Sequence, residues 1–348
     1  MSEGFTTVYG RNLLAEVPNF VNRPYLVVTM EDLWPLFAAT LDGPDLAGVH
    51  QVTTLDVVEL EAQLERLPAT GSVIGLGGGQ AIDVAKFIAW RRRLPLFQVP
   101  TAMTVNAPFG HRAGLRRDGV VRYLGYAIPE AVYVDYDVIA SAPASLNRAG
   151  VGDILCYHTA HLDWAMTRDL GKEERQWPYD PALVAQAGQR LDSVLGALDE
   201  IHDVTDTGIR TLMDAHRWGG QTFHAAGWNP RHIEGVEHFF FYNLEKRTRR
   251  HFIHGQPVGL GIVLGSVLHD SGADEMVAAL ARAGVDIRPE AMGVTWDDAD
   301  AAMRTLGAFV GEAGLWHSVA DERVVDAAIV TAVRERVEAA YGPWEGSR

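Results

Sequence analysis

The two halves of the sequence carry different patterns, and this contrast restricts the folds open to the chain. Up to about residue 150, short β-branched segments alternate with segments of helical periodicity. Such alternation is typical of a parallel sheet with helices on both faces. The strands are predicted at 25–29, 49–54, 71–77, 94–100 and 131–136, and the clearest helices between them at 55–67 and 80–93. The pair Asp118-Gly119 between two strand-like arms also predicts a β-hairpin.

Strand signals end after Gly152, and amphipathic helices follow. They are predicted at 153–169, 181–200, 206–226, 231–247, 255–270, 274–284, 298–313 and 321–341. We therefore predict an α/β, Rossmann-like parallel-sheet domain over residues 1–150. An all-α domain is predicted over residues 151–348.

Composition restricts the partners and the compartment. The 348 residues are 47% hydrophobic and carry a formal net charge of −15, which disfavours nucleic acid or an anionic membrane as partner. The single cysteine, Cys156, excludes an intrachain disulfide and a multi-cysteine zinc site, and it favours a reducing, cytoplasmic compartment. The N-terminal stretch MSEGFTTVYGRNLL lacks the apolar core of a secretory signal, and the longest uncharged apolar segment, 257–268, is too short to span a bilayer.

A glycine-rich turn joins a predicted buried strand to a helix. Gly77, Gly78 and Gly79 allow the backbone to approach a ligand closely, and the helix behind them directs free N–H groups toward it. This arrangement is typical of a pyrophosphate site. Gln80 stands where the usual dinucleotide motif has its third glycine, so a turn without a ligand is the alternative.

Two threonines follow the next predicted strand. Thr101 and Thr104 offer hydroxyl groups at a carboxyl strand end, which is where open α/β sheets bind ligands. Together with the glycine turn they predict a nucleotide that lies across adjacent strand ends.

A candidate metal site consists of one carboxylate and two histidines that are distant in sequence. Asp153 opens the helical half, His238 lies within a predicted helix, and His254 directly precedes another. One carboxylate and two imidazoles leave coordination positions open, which suits a catalytic divalent ion. Spacing alone does not show that the three side chains meet, and Asp153 as a helix cap is the alternative.

Two further groups have structural interpretations. His158 and His161 share a helix face, with Asp153 and Asp163 nearby, and they form a rival candidate cluster for a metal ion. We interpret them as packing groups or as supports for a site. The basic run 246–251 is typical of a solvated helix end. Its alternative role is to supply charge for a substrate phosphate near His254.

Five motifs occur in order along the chain: GGGQAIDVAK, VPTAMTVN, GVGDILCYHTAHLDW, GVEHFFFYNLE and HGQPVGLG. Together they resemble the iron-containing alcohol dehydrogenase superfamily, and within it the sn-glycerol-1-phosphate dehydrogenase and glycerol dehydrogenase branch. The resemblance implies a dehydroquinate synthase-like fold, with a dinucleotide-binding α/β domain followed by a helical metal domain.

The resemblance also implies roles for individual residues. Those assigned to NAD or NADP are Gly77, Gly78, Gly79, Asp83, Thr101 and Thr104. Those assigned to Zn²⁺, or to another divalent ion such as Fe²⁺ or Ni²⁺, are Asp153, His238 and His254. An aspartate as first ligand is similar to the dehydrogenases, because the related cyclases carry glutamate there.

Four positions depart from the branch that the chain resembles. Asn106 stands where a substrate-contacting aspartate is typical, and Tyr242 where a substrate-contacting histidine is typical. Gly110 replaces a serine that touches the cofactor. Met30 replaces an aspartate that faces the ribose in NAD-preferring relatives, which leaves NADP open. The chemistry is therefore expected to be retained while the substrate pocket differs, with Asn106 and Tyr242 lining it.

We predict an NAD(P)-dependent, metal-containing alcohol dehydrogenase that reduces a small hydroxyketone or keto-polyol, free or phosphorylated. Its catalytic residues are predicted to be Asp153, His238, His254 and Tyr242, with Tyr242 a candidate proton donor. The alternatives are a sugar-phosphate cyclase or lyase of the dehydroquinate-synthase type, and a non-catalytic descendant that binds nucleotide or metal. A homo-oligomer is left open.

Overall fold

The structure, a computed structural model, describes residues 4–346, so the outermost residues of both predicted domains, 1–3 and 347–348, lie outside it. The chain forms two compact units. The first comprises the described residues up to Asn147 together with 216–225, and the second comprises 148–215 together with the described residues from 226 onward. The predicted boundary between residues 150 and 151 assigns 216–225 differently. This segment belongs to the first unit because His216 Nε2 lies 3.0 Å from the carbonyl oxygen of Met103.

A six-stranded parallel sheet forms the centre of the first unit, in the order β1-β8-β5-β4-β2-β3. Its strands are β1 (Thr6–Gly10), β2 (Tyr25–Thr29), β3 (Leu46–Gln51), β4 (Ser72–Gly77), β5 (Leu96–Pro100) and β8 (Ala131–Asp135). The sequence predicts the last five. The edge strand β1 is absent from that prediction because it is short and none of its residues is fully buried.

The predicted hairpin is confirmed. Strands β6 (Ala113–Arg117) and β7 (Val120–Leu124) pair in antiparallel fashion outside the main sheet. The two residues between them, Asp118 and Gly119, have φ angles of 55° and 73°, as a two-residue hairpin turn requires.

Both faces of the parallel sheet are covered. The central strands β2, β4, β5 and β8 are buried along their whole length. Alternate residues of β2 enter different apolar clusters, Leu26 and Val28 on one side and Tyr25 and Val27 on the other. A parallel sheet needs this double coverage because its crossover helices pack on both faces.

The helices along the first part of the chain are α1 (Val17–Phe20), α2 (Trp34–Leu41), α3 (Val57–Leu64), α4 (Gly79–Arg92), α5 (Tyr136–Ser141) and α6 (Ala144–Ala149). Helix α4 follows the glycine turn and contributes Val84, Phe87 and Ile88 to one apolar cluster.

Over its described residues, the regular secondary structure of the second unit is helical. Its helices are α7 (Gly152–Leu155), α8 (Tyr157–Asp169), α9 (Pro181–Leu195), α10 (Leu198–His202), α11 (Asp206–Ala225, whose last ten residues belong to the first unit), α12 (Val236–Thr248), α13 (Gly255–Leu268), α14 (Ala273–Arg282), α15 (Trp296–Arg304), α16 (Leu306–Ala313), α17 (Val319–Glu322) and α18 (Ala327–Tyr341). Helix α13 is buried along almost its whole length and packs on α7, α12 and α14. Among the described residues, no helix is both long enough and apolar enough to cross a bilayer.

The predicted helix 231–247 begins late. Helix α12 starts at Val236 because the preceding residues form turns, in which the Pro230 carbonyl accepts hydrogen bonds from the N–H groups of Ile233 and Glu234. Four other predicted helices, 153–169, 181–200, 298–313 and 321–341, are each divided into two shorter helices.

Candidate metal and cofactor sites

The structure brings Asp153, His238 and His254 together. The Nε2 atom of His254 lies 3.1 Å from Asp153 Oδ1 and 3.2 Å from His238 Nε2. The third separation, from His238 Nε2 to Asp153 Oδ1, is 3.5 Å. Three ligand atoms this close to one another, from one carboxylate and two imidazoles, fit a divalent ion with open coordination positions.

Two glycines allow these side chains to meet. Gly152 precedes Asp153 in α7, and Gly255 follows His254 at the start of α13. A Cβ atom on Gly152 would lie 2.3 Å from the Gly255 carbonyl oxygen, and one on Gly255 would lie 1.7 Å from the Ala149 carbonyl oxygen. The backbones that carry the two ligands are therefore in direct contact, which only glycine permits.

Asp153 does not cap a helix, contrary to the alternative from sequence. The residue at the N-cap of α7 is Val151, that at the N-cap of α8 is Cys156, and neither helix has a side-chain cap bond. The Asp153 carboxylate is instead directed at the two histidines.

Glu237 orients the His238 ring from the side away from the other two candidate ligands. Its Oε1 atom lies 3.0 Å from His238 Nδ1 and also accepts a hydrogen bond from the Gly235 N–H group. Its Oε2 atom accepts one from Thr159 Oγ1. A carboxylate on the far nitrogen of an imidazole fixes the orientation of the ring and leaves Nε2 available as a ligand. The sequence analysis does not select Glu237, although its position next to His238 was a usable signal.

Among the described residues, a second set of three side chains has ligand atoms within 4.8 Å of one another: Cys156, Glu237 and His238. Burial, followed by the charges of Glu237 and Asp153, raises the pKa of the Cys156 thiol well above its ordinary value. Its Sγ lies 3.2 Å from the carbonyl oxygens of both Asp153 and Ile233, and the two carboxylate oxygens of Glu237 already accept hydrogen bonds from Gly235 and Thr159. The set with Asp153 is therefore the better candidate.

The electrostatics of the trio favour a cation. Burial alone lowers the pKa of His238, but hydrogen bonds with Asp153 and Glu237 and the charges of Glu234 and Glu237 outweigh it and raise the pKa to about 10. Three carboxylates thus stabilise positive charge at this imidazole. A bound divalent ion would supply the positive charge that these three carboxylates stabilise.

Tyr242 lies one helical turn after His238, with ring centroids 6.1 Å apart. Its hydroxyl group donates a hydrogen bond of 2.5 Å to Glu234 Oε1. Burial raises the pKa of Glu234, and this effect is opposed by the charges of His238 and His254 and by the bond from Tyr242. Glu234 is only 6% exposed and is a second carboxylate that the sequence analysis does not select.

The rival histidine cluster is directed at other partners. His158 Nε2 lies 3.1 Å from the Ser271 carbonyl oxygen. Asp163 accepts hydrogen bonds from the backbone N–H groups that begin α12 and α17, and it pairs with His269. These contacts support the interpretation of this cluster as packing.

The glycine turn and the threonine loop meet in the first unit. Gly78 is the N-cap of α4 and makes no side-chain cap bond. The Thr101 N–H group donates to the Gly77 carbonyl, and Thr104 Oγ1 lies 3.9 Å from where a Cβ on Gly78 would be. The helix start, the glycines and both threonines thus lie at the same edge of the sheet, as the sequence predicts for adjacent strand ends.

Asp83, in the first turns of α4, forms an ion pair with Lys86 of the same helix. Its Oδ1 atom lies 2.6 Å from Lys86 Nζ, and Lys86, which is 2% exposed, also donates to the carbonyl oxygens of Ala107 (3.0 Å) and Arg112 (2.6 Å). The pair therefore holds the loop that follows Asn106. Lys86 is missing from the sequence analysis, although the i, i+3 charge pair in an otherwise apolar helix was a signal for it.

Asn106, Gly110 and Met30 are the other positions at which the sequence departs from the family branch that it resembles. Asn106 begins the short 3₁₀ turn 107–109, two residues after Thr104. Gly110 ends that turn, and a Cβ there would lie 3.8 Å from Lys86 Nζ. Met30 packs against the apolar cluster that contains α4, while Glu31 and Asp32 beside it are exposed.

Comparison with known proteins agrees with this arrangement. The model of the family described as iron-containing alcohol dehydrogenase matches residues 40–143. A glycerol-1-phosphate dehydrogenase [NAD(P)+] from Thermofilum pendens is 31% identical over 285 residues, which is 80% of this chain and 81% of that protein. One from Aeropyrum pernix is 31% identical and covers 78% of this chain and 76% of its own length. The chain therefore belongs to the iron-containing alcohol dehydrogenase family.

Solved structures share the fold at lower identity. A probable glycerol dehydrogenase from Sinorhizobium meliloti superimposes with a TM-score of 0.72 at 18% identity, over 97% of both chains. A 2-epi-5-epi-valiolone synthase from Streptomyces hygroscopicus, solved with NAD⁺ and Zn²⁺, gives a TM-score of 0.64 at 17% identity, over 98% of this chain and 97% of that one. The predicted dehydroquinate synthase-like fold is thereby confirmed.

Proposed function

We propose that the chain is a metal-dependent NAD(P)H oxidoreductase that reduces a small hydroxyketone or keto-polyol. The observation that carries this proposal is the convergence of Asp153, His238 and His254, whose ligand atoms lie 3.1–3.5 Å apart. Family membership supports the same reaction class, since the relatives are named glycerol-1-phosphate dehydrogenases.

The residues divide into two groups by role. The metal ligands are Asp153, His238 and His254, for Zn²⁺ or another divalent ion. The residues proposed to hold the cofactor are Gly77, Gly78, Gly79, Asp83, Thr101 and Thr104. When bound, the ion would polarise the substrate carbonyl as a Lewis acid, and NADH or NADPH would supply the hydride.

The chain's own side chains position the reactants. Glu237 fixes the His238 ring, and the N-terminus of α4 faces the cofactor phosphates with N–H groups. Asp83 acts through Lys86 on the loop that begins at Asn106. Asn106 and Tyr242 are proposed to contact the substrate, with the Tyr242 oxygen as an acceptor because its hydrogen is donated to Glu234 Oε1.

The test is to remove one ligand and measure both zinc and turnover. In Asp153→Ala and His238→Ala, zinc content should fall from about one ion per chain toward none, and NAD(P)H-dependent ketone reduction should fall about a thousandfold. His251→Ala is the matched control, because that histidine is exposed and near the site in sequence. An Asp153→Ala protein that keeps both zinc and turnover would refute the assignment.

Net oxidation of NAD(P)H separates this function from the cyclase alternative. A cyclase of the dehydroquinate-synthase type returns the hydride within one turnover, so absorbance at the nicotinamide band would not change.

We also propose a small-molecule substrate, no nucleic-acid partner and a cytoplasmic location, supported by the net charge of −15 and the single cysteine. A homo-oligomer stays a prediction for light scattering to test.

A further inference from the structure

The hydrogen bond between Tyr242 and Glu234 determines what this part of the site can offer a substrate. Tyr242 Oη donates its hydrogen to Glu234 Oε1 across 2.5 Å. With that hydrogen committed, the phenol oxygen can act toward another group only as an acceptor. The carboxylate is an acceptor as well. The pair therefore suits a ligand that brings hydroxyl hydrogens.

The surroundings of the pair are acidic. Asp153, Glu234 and Glu237 are each at most 6% exposed and surround the two imidazoles. Charges that are buried in this way are weakly screened by solvent. At the Tyr242–Glu234 pair itself, away from the metal ligands, a dianion such as a phosphate ester would meet a like charge and would find acceptors opposite its own acceptors.

Members of the nearby basic run interact with carboxylates on other helices. Lys246 Nζ lies 3.7 Å from Glu312 Oε2 on α16. Arg247 and Arg250 lie close enough to Asp298 on α15 to help lower the pKa of its carboxyl group, although hydrogen bonds from Thr295 are the main cause. These contacts argue against the alternative that the run supplies charge for a substrate phosphate near His254.

We propose that Glu234, held by Tyr242, selects against phosphorylated ketones, so that the enzyme takes an uncharged polyhydroxy ketone. This inference rests on the proposed function and narrows its substrate class. The relatives are named for a phosphorylated substrate, and in this chain Tyr242, which stands where the resemblance leads us to expect a histidine, holds Glu234. Glu234 is thus a specificity-determining residue.

A calorimetric titration of the zinc-loaded protein with inorganic phosphate tests the inference by measuring binding, so it does not depend on turnover. Glu234→Gln should bind phosphate at least tenfold more tightly than the wild type, because it removes the charge and supplies a donor. Tyr242→Phe keeps the carboxylate and should bind phosphate as weakly as the wild type. If Glu234→Gln does not fold, as judged by circular dichroism and zinc content, Glu234→Ser takes its place with the same expectation.

Kinetics give the second readout. The ratio of kcat/KM for dihydroxyacetone to that for dihydroxyacetone phosphate should exceed one in the wild type and should fall at least tenfold in Glu234→Gln. Equal phosphate affinity in wild type and Glu234→Gln, or a wild-type preference for the phosphate ester, overturns the inference. If zinc-loaded protein oxidises NAD(P)H with neither ketone, the proposed function fails, and the phosphate titration still decides the role of Glu234.

Discussion

At the scale of single residues, one buried charge outside the metal trio with a clear structural consequence is Lys86. Its ammonium group has three partners, Asp83 and the carbonyl oxygens of Ala107 and Arg112, and it is 2% exposed. Removing one member of a buried ion pair leaves the other without compensation. Lys86 therefore stabilises the loop in which the proposed substrate residue Asn106 lies.

Lys86→Met should lower the free energy of unfolding by about 3 kcal/mol, because Asp83 then stays buried without its partner. Urea titration measures this loss, and the double variant Asp83→Leu with Lys86→Met should recover part of it. The KM for the ketone should rise in Lys86→Met, while zinc content stays unchanged because all three ligands lie in the other unit. A loss below about 1 kcal/mol would contradict the inferred role of the pair.

At the scale of elements, the close approach of α7 and of the end of α6 to the start of α13 determines where two metal ligands lie. A Cβ on Gly255 would overlap the Ala149 carbonyl oxygen at 1.7 Å. Gly255→Ala should therefore displace the start of α13 and weaken zinc binding at least tenfold, as equilibrium dialysis would show. Gly188→Ala on α9 is the control: no atom lies within 4 Å of its Cβ position, so stability should rise by about 0.5–1 kcal/mol.

Helix α8 and the turn before α12 carry a pH-sensitive pair of histidines, the half-buried His161 and the buried His232. Burial lowers the pKa of His161 to about 4 and that of His232 to about 3, from an ordinary value near 6.5. The unfolded chain then binds protons that the folded chain does not, so stability falls as the pH drops from about 6.5 toward 4. For His161 alone the loss between pH 7 and pH 5 is about 2 kcal/mol.

His161→Gln should flatten this dependence, as measured by urea titration at several pH values. Relative to the wild type, His161→Gln should become more stable as the pH falls from 7 to 5, because the variant lacks the proton uptake that accompanies unfolding. Equal slopes in His161→Gln and the wild type would show that another group causes the acid sensitivity.

Elements with strong periodicity could be predicted from the sequence, and elements defined by tertiary contacts could not. The strand YLVVT is predicted with its observed bounds, 25–29, because a continuous β-branched run between breakers has few other solutions. The start of α12 is set instead by Asp163, 73 residues earlier, whose carboxylate accepts the Val236 N–H group. No local pattern carries that information.

At the scale of the whole molecule, one part of the site could be predicted from the sequence and another part is visible only in the structure. Asp153, His238 and His254 could be selected from the sequence as possible metal ligands. That they meet in space could be inferred only from the order of the motifs and from the fold, because 101 residues separate Asp153 from His254. The supporting carboxylates Glu234 and Glu237 stayed hidden, since an acidic residue in a helix start is usually a cap or a solvated group. Their function follows only from burial and from the hydrogen bonds to Tyr242 and His238.

The residues proposed to bind the cofactor and those proposed to bind the metal lie in different units of the molecule. The cofactor residues lie between Gly77 and Thr104 in the first unit, and the metal ligands lie in the second. Zinc at about 100 times its Kd should therefore raise the free energy of unfolding by about 2.7 kcal/mol in the wild type and not in Asp153→Ala. The affinity for NAD(P)H, measured by nicotinamide fluorescence, should change less than threefold when zinc is removed by a chelator, because none of the proposed cofactor residues is a zinc ligand. Loss of cofactor binding together with the metal would show that the two sites depend on each other, and the separate assignment of their residues would then be wrong.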